Sequence, residues 1–363
     1  LWSSVIQLII VVFFLRSGLS RAMRNRAESW TRRKPLQTFL YWTQFIIITT
    51  LLTFPFTVYT DYFREHQYNL SNQTFGAWIG EQGKSLALSV IIGGLVVMAL
   101  YGVVRRFPRT WNVWGAVVGI VFLVFGILIA PVFIVPLFNK VTPLTDARIR
   151  DPILSMARAN GIEAKDVFVI DASKQSKRIS ANVSGIGNTM RITLNDNLLN
   201  RSSPQEIQAV MGHEMGHYVL NHVYKGVTFF TIVIVLLFVF IKWAFGWTTA
   251  RWGEKWGVRD IGDTAGLPIV AGALTVFFFL TAPLLVTYTR TAEAEADMFG
   301  LNASRQPDGF AQAALQLSEY RKLDPGPVEE FIFFDHPSGR NRIYRSMVWK
   351  AEHLSDYTSS QIR

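Results

Sequence analysis

Five long apolar runs limit what this chain can fold into. Phe39–Thr60, Ser85–Val104, Trp111–Phe138, Gly226–Gly246 and Leu267–Tyr288 each hold enough apolar residues to cross a bilayer, which takes about 20 residues of helix. A sixth run, residues 2–15 (WSSVIQLIIVVFFL), is shorter and is closed by Arg16. It reads as a span whose beginning lies at or before the terminus, and an opening on Leu1 rather than Met fits a missing N-terminal piece. A basic segment follows it instead of a small-residue cleavage site, which argues against a secretory signal. Inside lipid every backbone polar group must be satisfied within the segment, so these runs are expected to be helices. Pro55 is tolerable in such a helix when neighbours satisfy the freed carbonyl.

Composition agrees. Half of the residues are hydrophobic and 17% are charged, against about a quarter in soluble proteins. The net charge of +10 is concentrated in short segments flanking the spans, Arg16–Lys34 and Arg105–Arg109, where membrane proteins collect Lys and Arg. That placement predicts a lipid bilayer, not nucleic acid, as the partner. With no cysteine, disulfides and thiolate metal ligands are excluded. Trp111 and Trp114 suit interfacial anchoring, and Lys242 sits near enough to a span end to reach the interface. Asp61–Lys84 reads as a polar connection whose aromatic residues should pack.

At Asn139 the character changes, and residues 139–225 read as a soluble α+β insert. Helical spacing over Asp146–Asn160 ends at Gly161, and Asp166–Ala172 (DVFVIDA) is a short β-branched strand. Ser180–Leu194 has the pattern of a β-hairpin with Gly185, Gly187 and Asn188 at its bend. Ser203-Pro-Gln-Glu206 then carries a capping box with proline in the first turn. The helix it starts holds His213-Glu214-Met-Gly-His217. Residues four apart share a helix face, so His213 and His217 can grip one metal ion. Glu214, about 100° around from His213, can reach a water on that ion. This is the zincin arrangement of two imidazole ligands and a carboxylate general base.

A catalytic zinc takes three protein ligands and keeps one position open. After the last span, Arg290-Thr-Ala-Glu293-Ala-Glu295-Ala-Asp297 offers three carboxylates at helical spacing. Glu293 and Asp297 share a face with Arg290, whereas Glu295 points about 200° away from Glu293. The division that follows puts Glu293 on zinc and Asp297 behind a ligand histidine, with Glu295 the less favoured ligand and a solvated acidic face the alternative. His336, set between Asp335 and Pro337, is the best remaining histidine for donating to an oxyanion; an ordinary turn histidine is the competing reading. His222 would lie about 140° around a continuous helix from His217, which suits packing. Asn221, one turn beyond His217, would brace that end of the site. An extended peptide binds by adding a strand to a sheet edge, and Ala181, Asn182 and Val183 of the hairpin are the candidate edge, with simple sheet packing an equal alternative.

These segments together resemble the integral-membrane zinc endopeptidases known as type I CAAX prenyl proteases. The likeness runs from about Phe39 to Arg342. It is carried by Pro136-Leu-Phe-Asn-Lys140 with Pro143-Leu, Gly185…Arg191-Ile-Thr-Leu194-x-Asp196-x-Leu198-Leu, His213-Glu-Met-Gly-His217 with Asn221-His222, Arg290-x-x-Glu293-x-x-Ala296-Asp297, and His336-Pro337…Arg342-Ile343. Ser180 departs from the asparagine found in many relatives. The resemblance implies one zinc per chain on His213, His217 and Glu293, Glu214 as base, and His336 as oxyanion donor with Arg342 nearby. It also implies cleavage of prenylated C-termini. The implied fold is a predominantly α-helical multi-pass membrane protein around an intramembrane chamber, with six spans visible here and seven in full length, plus the small zincin-type insert.

Four segments follow: membrane helices in 1–138, the protease insert in 139–225, a membrane helix pair in 226–289 and a C-terminal helical region in 290–363. The resemblance places the zinc site towards the cytoplasm, in a bacterial cell membrane. The Arg-rich short segments 16–37 and 105–110 fall on the opposite side by helix parity, so the charge rule alone points the other way. Two further readings compete: a membrane-protein quality-control protease with no prenyl requirement, and a non-enzymatic transporter or lipid-binding membrane protein.

Overall fold

The computed structural model describes residues 2–129, 133–185 and 190–354; Gly187 and Asn188 of the expected hairpin bend lie outside them. In chain order the helices begin with α1 (Trp2–Arg16), α2 (Leu19–Trp30), α3 (Lys34–Thr57) and α4 (Arg64–Gln67). Next come α5 (Phe75–Leu88), α6 (Gly94–Arg106), α7 (Trp111–Ile129), α8 (Val135–Phe138) and α9 (Ala147–Ala159). After these follow α10 (Asp196–Arg201), α11 (Pro204–Val219), α12 (His222–Trp256) and α13 (Leu267–Ser304). The chain closes with α14 (Pro307–Leu317), α15 (Pro327–Phe333) and α16 (Gly339–Glu352). Among the described residues four short strands interrupt them: β1 (Val141–Pro143), β2 (Val167–Ile170), β3 (Ala181–Ser184) and β4 (Arg191–Asn195).

Among the described residues five helices are long and apolar enough to cross a membrane: Lys34–Gln67, Phe75–Arg106, Trp111–Ile129, His222–Trp256 and Thr264–Ser304. A sixth arises if α1 and α2, bent by 62° at their junction, count as one span. The multi-pass helical expectation holds. The bend falls at Gly18, whose φ of 73° glycine adopts without a Cβ penalty. The expected polar connection Asp61–Lys84 is shorter than its polarity suggested. Helix continues to Gln67 and restarts at Phe75, where the Thr74 hydroxyl accepts from the Ala77 N–H. Trp78 is buried against Phe54, Tyr62 and Phe75, and that aromatic burial holds the extended helices.

The chain divides into two compact units. The first comprises Leu1–Glu65, Thr74–Ile127 and Val227–Thr281. Its apolar centre includes Phe14, Met23, Tyr41, Phe45 and Leu267. It also buries a charge pair, with Arg24 Nη1 2.5 Å from Asp263 Oδ2 and 3.0 Å from the Gly257 carbonyl. Buried charges persist only when paired and hydrogen-bonded, and here Asp263 also accepts from the Arg259 and Ala265 N–H groups.

The second unit comprises His66–Gln73, Leu128–Gly226 and Ala282–Arg363. Its sheet has the order β1-β2-β4-β3. β1 is antiparallel to β2, β2 parallel to β4, and β3 antiparallel to β4 with Ala181 opposite Leu194. β4 is central, which is why Ile192, Thr193, Leu194 and Asn195 are all buried and the apolar–polar alternation of a half-exposed strand is absent. β3 is an edge strand. Ile153, Val167, Ile192, Leu194, Leu198, Met211 and Met215 form one core that seats α9 and α11 on the sheet. The capping box at the start of α11 is complete: Ser203 Oγ accepts from Glu206 N–H, and Glu206 accepts from Ser203 N–H.

α11 and α13 approach closely through small residues, Gly212 and Gly216 facing Ala296 and Gly300. A Cβ on Gly300 would stand 2.7 Å from the His213 nitrogen, and one on Gly216 3.1 Å from the Ala296 Cα. Backbone cannot yield as a side-chain tip can. Gly300→Ala should therefore lower the thermal transition by an amount equivalent to about 1–3 kcal/mol. Gly102→Ala, which meets nothing within 4 Å, should lie within about 0.5 kcal/mol of wild type. Equal melting temperatures for both variants would show that this contact is not tight.

Candidate metal centre

α11 presents His213 and His217 on one face, their Nε2 atoms 3.2 Å apart. From α13, Glu293 Oε2 lies 3.2 Å from His213 Nε2, and Glu293 Oε1 lies 3.5 Å from His217 Nε2. The three residues offer ligand atoms that all lie within 4.8 Å of one another. His213 and Glu293 are buried and His217 is partly open. The helix spacing that put Glu293 and Asp297 on one face is realised, because the small face of Ala296 and Gly300 turns both carboxylates towards α11.

Asp297 stands behind His213, with Oδ1 2.8 Å from Nδ1, although the ring is not well aligned for a hydrogen bond. Arg342 donates to both Asp297 oxygens, Nε at 3.0 Å and Nη2 at 2.6 Å. Its planar fork suits this two-point grip. Burial disfavours the Arg342 charge, but Asp297 outweighs it and holds the guanidinium above its usual range. His336 reaches the same cluster, with Nε2 3.2 Å from Glu293 Oε2 and Nδ1 2.8 Å from Asp335 Oδ1. Arg290 holds the segment leading to His336 by donating to the Glu330 and Phe334 carbonyls, each at 2.7 Å.

Glu214 and His336 line a cavity of about 180 Å³. Val210, Phe310 and Leu317 give it an apolar wall, and Ala181 of β3 lies at its margin. Burial pushes the Glu214 carboxyl above its ordinary value, partly offset by the neighbouring His213 and His217. Of the candidate edge residues, Ala181 and Val183 are half-buried and Asn182 is exposed.

Two placements differ from the sequence reading. Asn221 does not brace the ligand cluster; its amide donates to the Val219 carbonyl at 3.5 Å. Its φ of 59° makes it the left-handed turn that ends α11, a conformation asparagine tolerates better than most residues. Because the helix breaks there, the angular count to His222 fails. His222 swings back, and its Nδ1 lies 3.0 Å from His217 Nδ1. Its other nitrogen meets Glu295 Oε2 at 3.0 Å, which Lys225 Nζ also approaches at 3.2 Å. The sequence reading gave His222 to packing and Glu295 only the less favoured ligand role; the signal available for their pairing was the asparagine immediately before His222.

The residues fit a divalent cation. Glu293 Oε2 is buried and accepts no hydrogen bond, although two imidazole nitrogens stand 3.2 Å away. A buried acceptor without a donor is costly, and a metal shared with His213 and His217 would satisfy it. Burial by itself lowers the pKa of His213, but the adjacent carboxylates of Asp297 and Glu293 prevail and carry it up to about 10. Such a site demands positive charge, whether proton or metal.

The profile of Peptidase family M48 matches residues 143–347, and the CAAX prenyl protease N-terminal profile, described as five membrane helices, matches residues 1–140. The chain belongs to Peptidase family M48. Over 331 residues it is 30% identical to "Uncharacterized metalloprotease YhfN" of Bacillus subtilis, covering 91% of this chain and 78% of that one. It is 30% identical over 312 residues to CAAX prenyl protease 1 of Saccharomyces cerevisiae, covering 82% and 69%. The crystal structure of S. mikatae Ste24p superposes with a TM-score of 0.74 at 25% identity, over 85% of this chain and 75% of that one. This M48 peptidase is thus a multi-pass membrane metalloendopeptidase acting on peptide or protein substrates, which sets aside the transporter reading.

Metal ligands must be deprotonated to bind. A His213 pKa near 10 means that a proton competes at neutral pH, and raising the pH removes it. Metal affinity measured by chelator competition should therefore rise between pH 6.5 and 8.5 by up to about tenfold per pH unit. An affinity flat across that range would contradict this electrostatic picture.

Proposed function

We propose that this M48 peptidase is a zinc endopeptidase of the CAAX type, with His213, His217 and Glu293 holding zinc and Glu214 as the general base. The convergence of those three ligands beside a half-buried carboxylate, Glu214, on the cavity wall carries the reading. Bound there, zinc supplies Lewis acidity, lowering the pKa of a water and polarising the scissile carbonyl.

The chain's own groups do the rest. Glu214 takes the proton of the attacking water and returns it to the leaving amine; its raised pKa brings it closer to the range useful for both transfers. As the imidazolium, with Nδ1–H given to Asp335, His336 donates its Nε2–H to the oxyanion that develops on the carbonyl. Asp335 at Nδ1 and Arg290 behind the segment keep that ring aimed into the site. Asp297, gripped by Arg342, orients His213. An extended substrate adds to the open edge of β3 at Ala181, Asn182 and Val183 through main-chain hydrogen bonds. The wall of Val210, Phe310 and Leu317 receives an apolar side chain next to the scissile bond. The likeness to CAAX prenyl protease 1 supports a prenylated C-terminal substrate, and the likeness to the Bacillus subtilis metalloprotease supports a bacterial cell membrane; in this reading the substrate is presented at the cytoplasmic side.

Recognition through main-chain pairing needs no lipid. This favours a second reading, quality control of membrane proteins without a prenyl requirement.

Cleavage of a farnesylated peptide and its unmodified counterpart, with and without a zinc chelator, separates these. CAAX processing requires preference for the farnesylated peptide; equal, chelator-sensitive turnover supports quality control; chelator-insensitive turnover rejects both. Glu214→Gln should lower kcat by about 10²–10⁴-fold while one zinc per chain is retained. A variant with wild-type turnover would remove Glu214 from the mechanism.

A further inference from the structure

The two histidines of α11 that face Glu293 are supported differently. His213 has a buried carboxylate, Asp297, behind its outer nitrogen, whereas His217 has another histidine. His217 Nδ1 and His222 Nδ1 are 3.0 Å apart, with ring planes crossing at 71° and centroids 5.0 Å apart. His222 is buried, and its Nε2 lies 3.0 Å from Glu295 Oε2. Glu295 is half exposed and is held in turn by Lys225 Nζ at 3.2 Å.

An ionised carboxylate only accepts hydrogen bonds. Glu295 therefore selects the His222 tautomer with hydrogen on Nε2, which leaves a lone pair on Nδ1. Two lone pairs cannot face each other at 3.0 Å, so the hydrogen between the rings belongs to His217 Nδ1. That assignment leaves His217 Nε2 as the lone pair turned towards Glu293 and His213.

We propose that His222, fixed in this tautomer by Glu295, is a positioning residue for His217, so that Lys225, Glu295, His222 and His217 form one directed chain. The inference rests on the metal-binding reading above. Asn221 makes the chain possible, because its left-handed turn brings His222 back across the end of α11. Supports behind ligand histidines fix ring orientation and basicity, and their loss weakens metal binding about 10–100-fold.

The test uses the full-length protein in nanodiscs, with zinc affinity read by competition against a chromophoric chelator. The visible spectrum of the cobalt-substituted protein reports ligand geometry, and melting without added metal reports folding. His222→Phe, which keeps the ring volume but accepts no hydrogen bond, should bind zinc about 10–100-fold more weakly and shift the cobalt spectrum. His222→Gln, whose carbonyl can take the His217 hydrogen, should recover part of the loss. Glu295→Gln, still an acceptor, should stay near wild type, and Glu295→Ala should weaken binding.

Wild-type zinc affinity in His222→Phe would overturn the proposal. So would a loss of affinity in which Gln is no better than Phe and both simply melt earlier. Failure of the wild-type protein itself to take up zinc would instead overturn the metal-binding reading, and this inference with it.

Discussion

The site depends on how closely α11 and α13 can approach. Most helix pairs stand 8–10 Å apart, a distance set by the side chains at their contact. Here the contact is Gly212 and Gly216 against Ala296 and Gly300, and a methyl group on either central glycine would press on backbone of the partner. The flanking carboxylates of Glu293 and Asp297 are thereby brought within reach of His213 from two directions, 3.2 Å to one ring nitrogen and 2.8 Å to the other. Larger residues at the contact would separate the helices and take Glu293 and Asp297 out of reach of His213. The same small faces would suit helix pairing in lipid, yet here they serve a polar cluster.

Electrostatics then explains why the cluster needs its outer residues. Asp297 is buried beside a second buried carboxylate, Glu293, an arrangement that carries a high desolvation cost without cations. Arg342 supplies one fixed positive charge in two-point contact with Asp297. It is tied up there, so it offers Glu293 no hydrogen bond. The remaining demand falls on the space between Glu293, His213 and His217, where the carboxylate oxygen has no donor. Arginine at 342 and the metal proposed between the helices would therefore answer different halves of one charge problem. Exchanging the arginine for lysine would lose the fork that keeps the two halves apart.

What was legible in the sequence was what depends on local geometry. The capping box, the four-residue histidine spacing, the Glu293–Asp297 face and the apolar spans each follow from the helix repeat or from chain length in lipid, and each appears in the structure. What was not legible depended on where a helix ends. His222 was counted along a helix that breaks at Asn221, and Glu295 was judged by its angle from Glu293 when its partner lies on the far side of that break. The strand Val141–Pro143 was missed because three residues carry no period, and its pairing with Ile170, Val169 and Phe168 is a tertiary contact. Asp61–Lys84 looked like a loop because it is polar, whereas the burial of Trp78 among Phe54, Tyr62 and Phe75 outweighs propensity there.

One stretch of α13 does most of the arranging. Arg290 ties the carbonyls of Glu330 and Phe334 that precede His336. One turn on, Glu293 meets both histidines of α11. One turn further, Asp297 backs His213 and recruits Arg342 from α16. Ala296 and Gly300 keep the helix close enough for all of this, and Glu295, on the opposite side, anchors His222. A rigid helix with residues at three- and four-residue spacing thus sets the relative positions of groups drawn from α11, α16 and the His336 segment. Glu214 and His336 face the cavity, the largely buried Arg342 reaches its wall, and Asp297 stays behind in the core. A peptide entering along β3 would meet acid–base groups on the open side of a cluster whose geometry is set from the buried side, the order of support that a preorganised site requires.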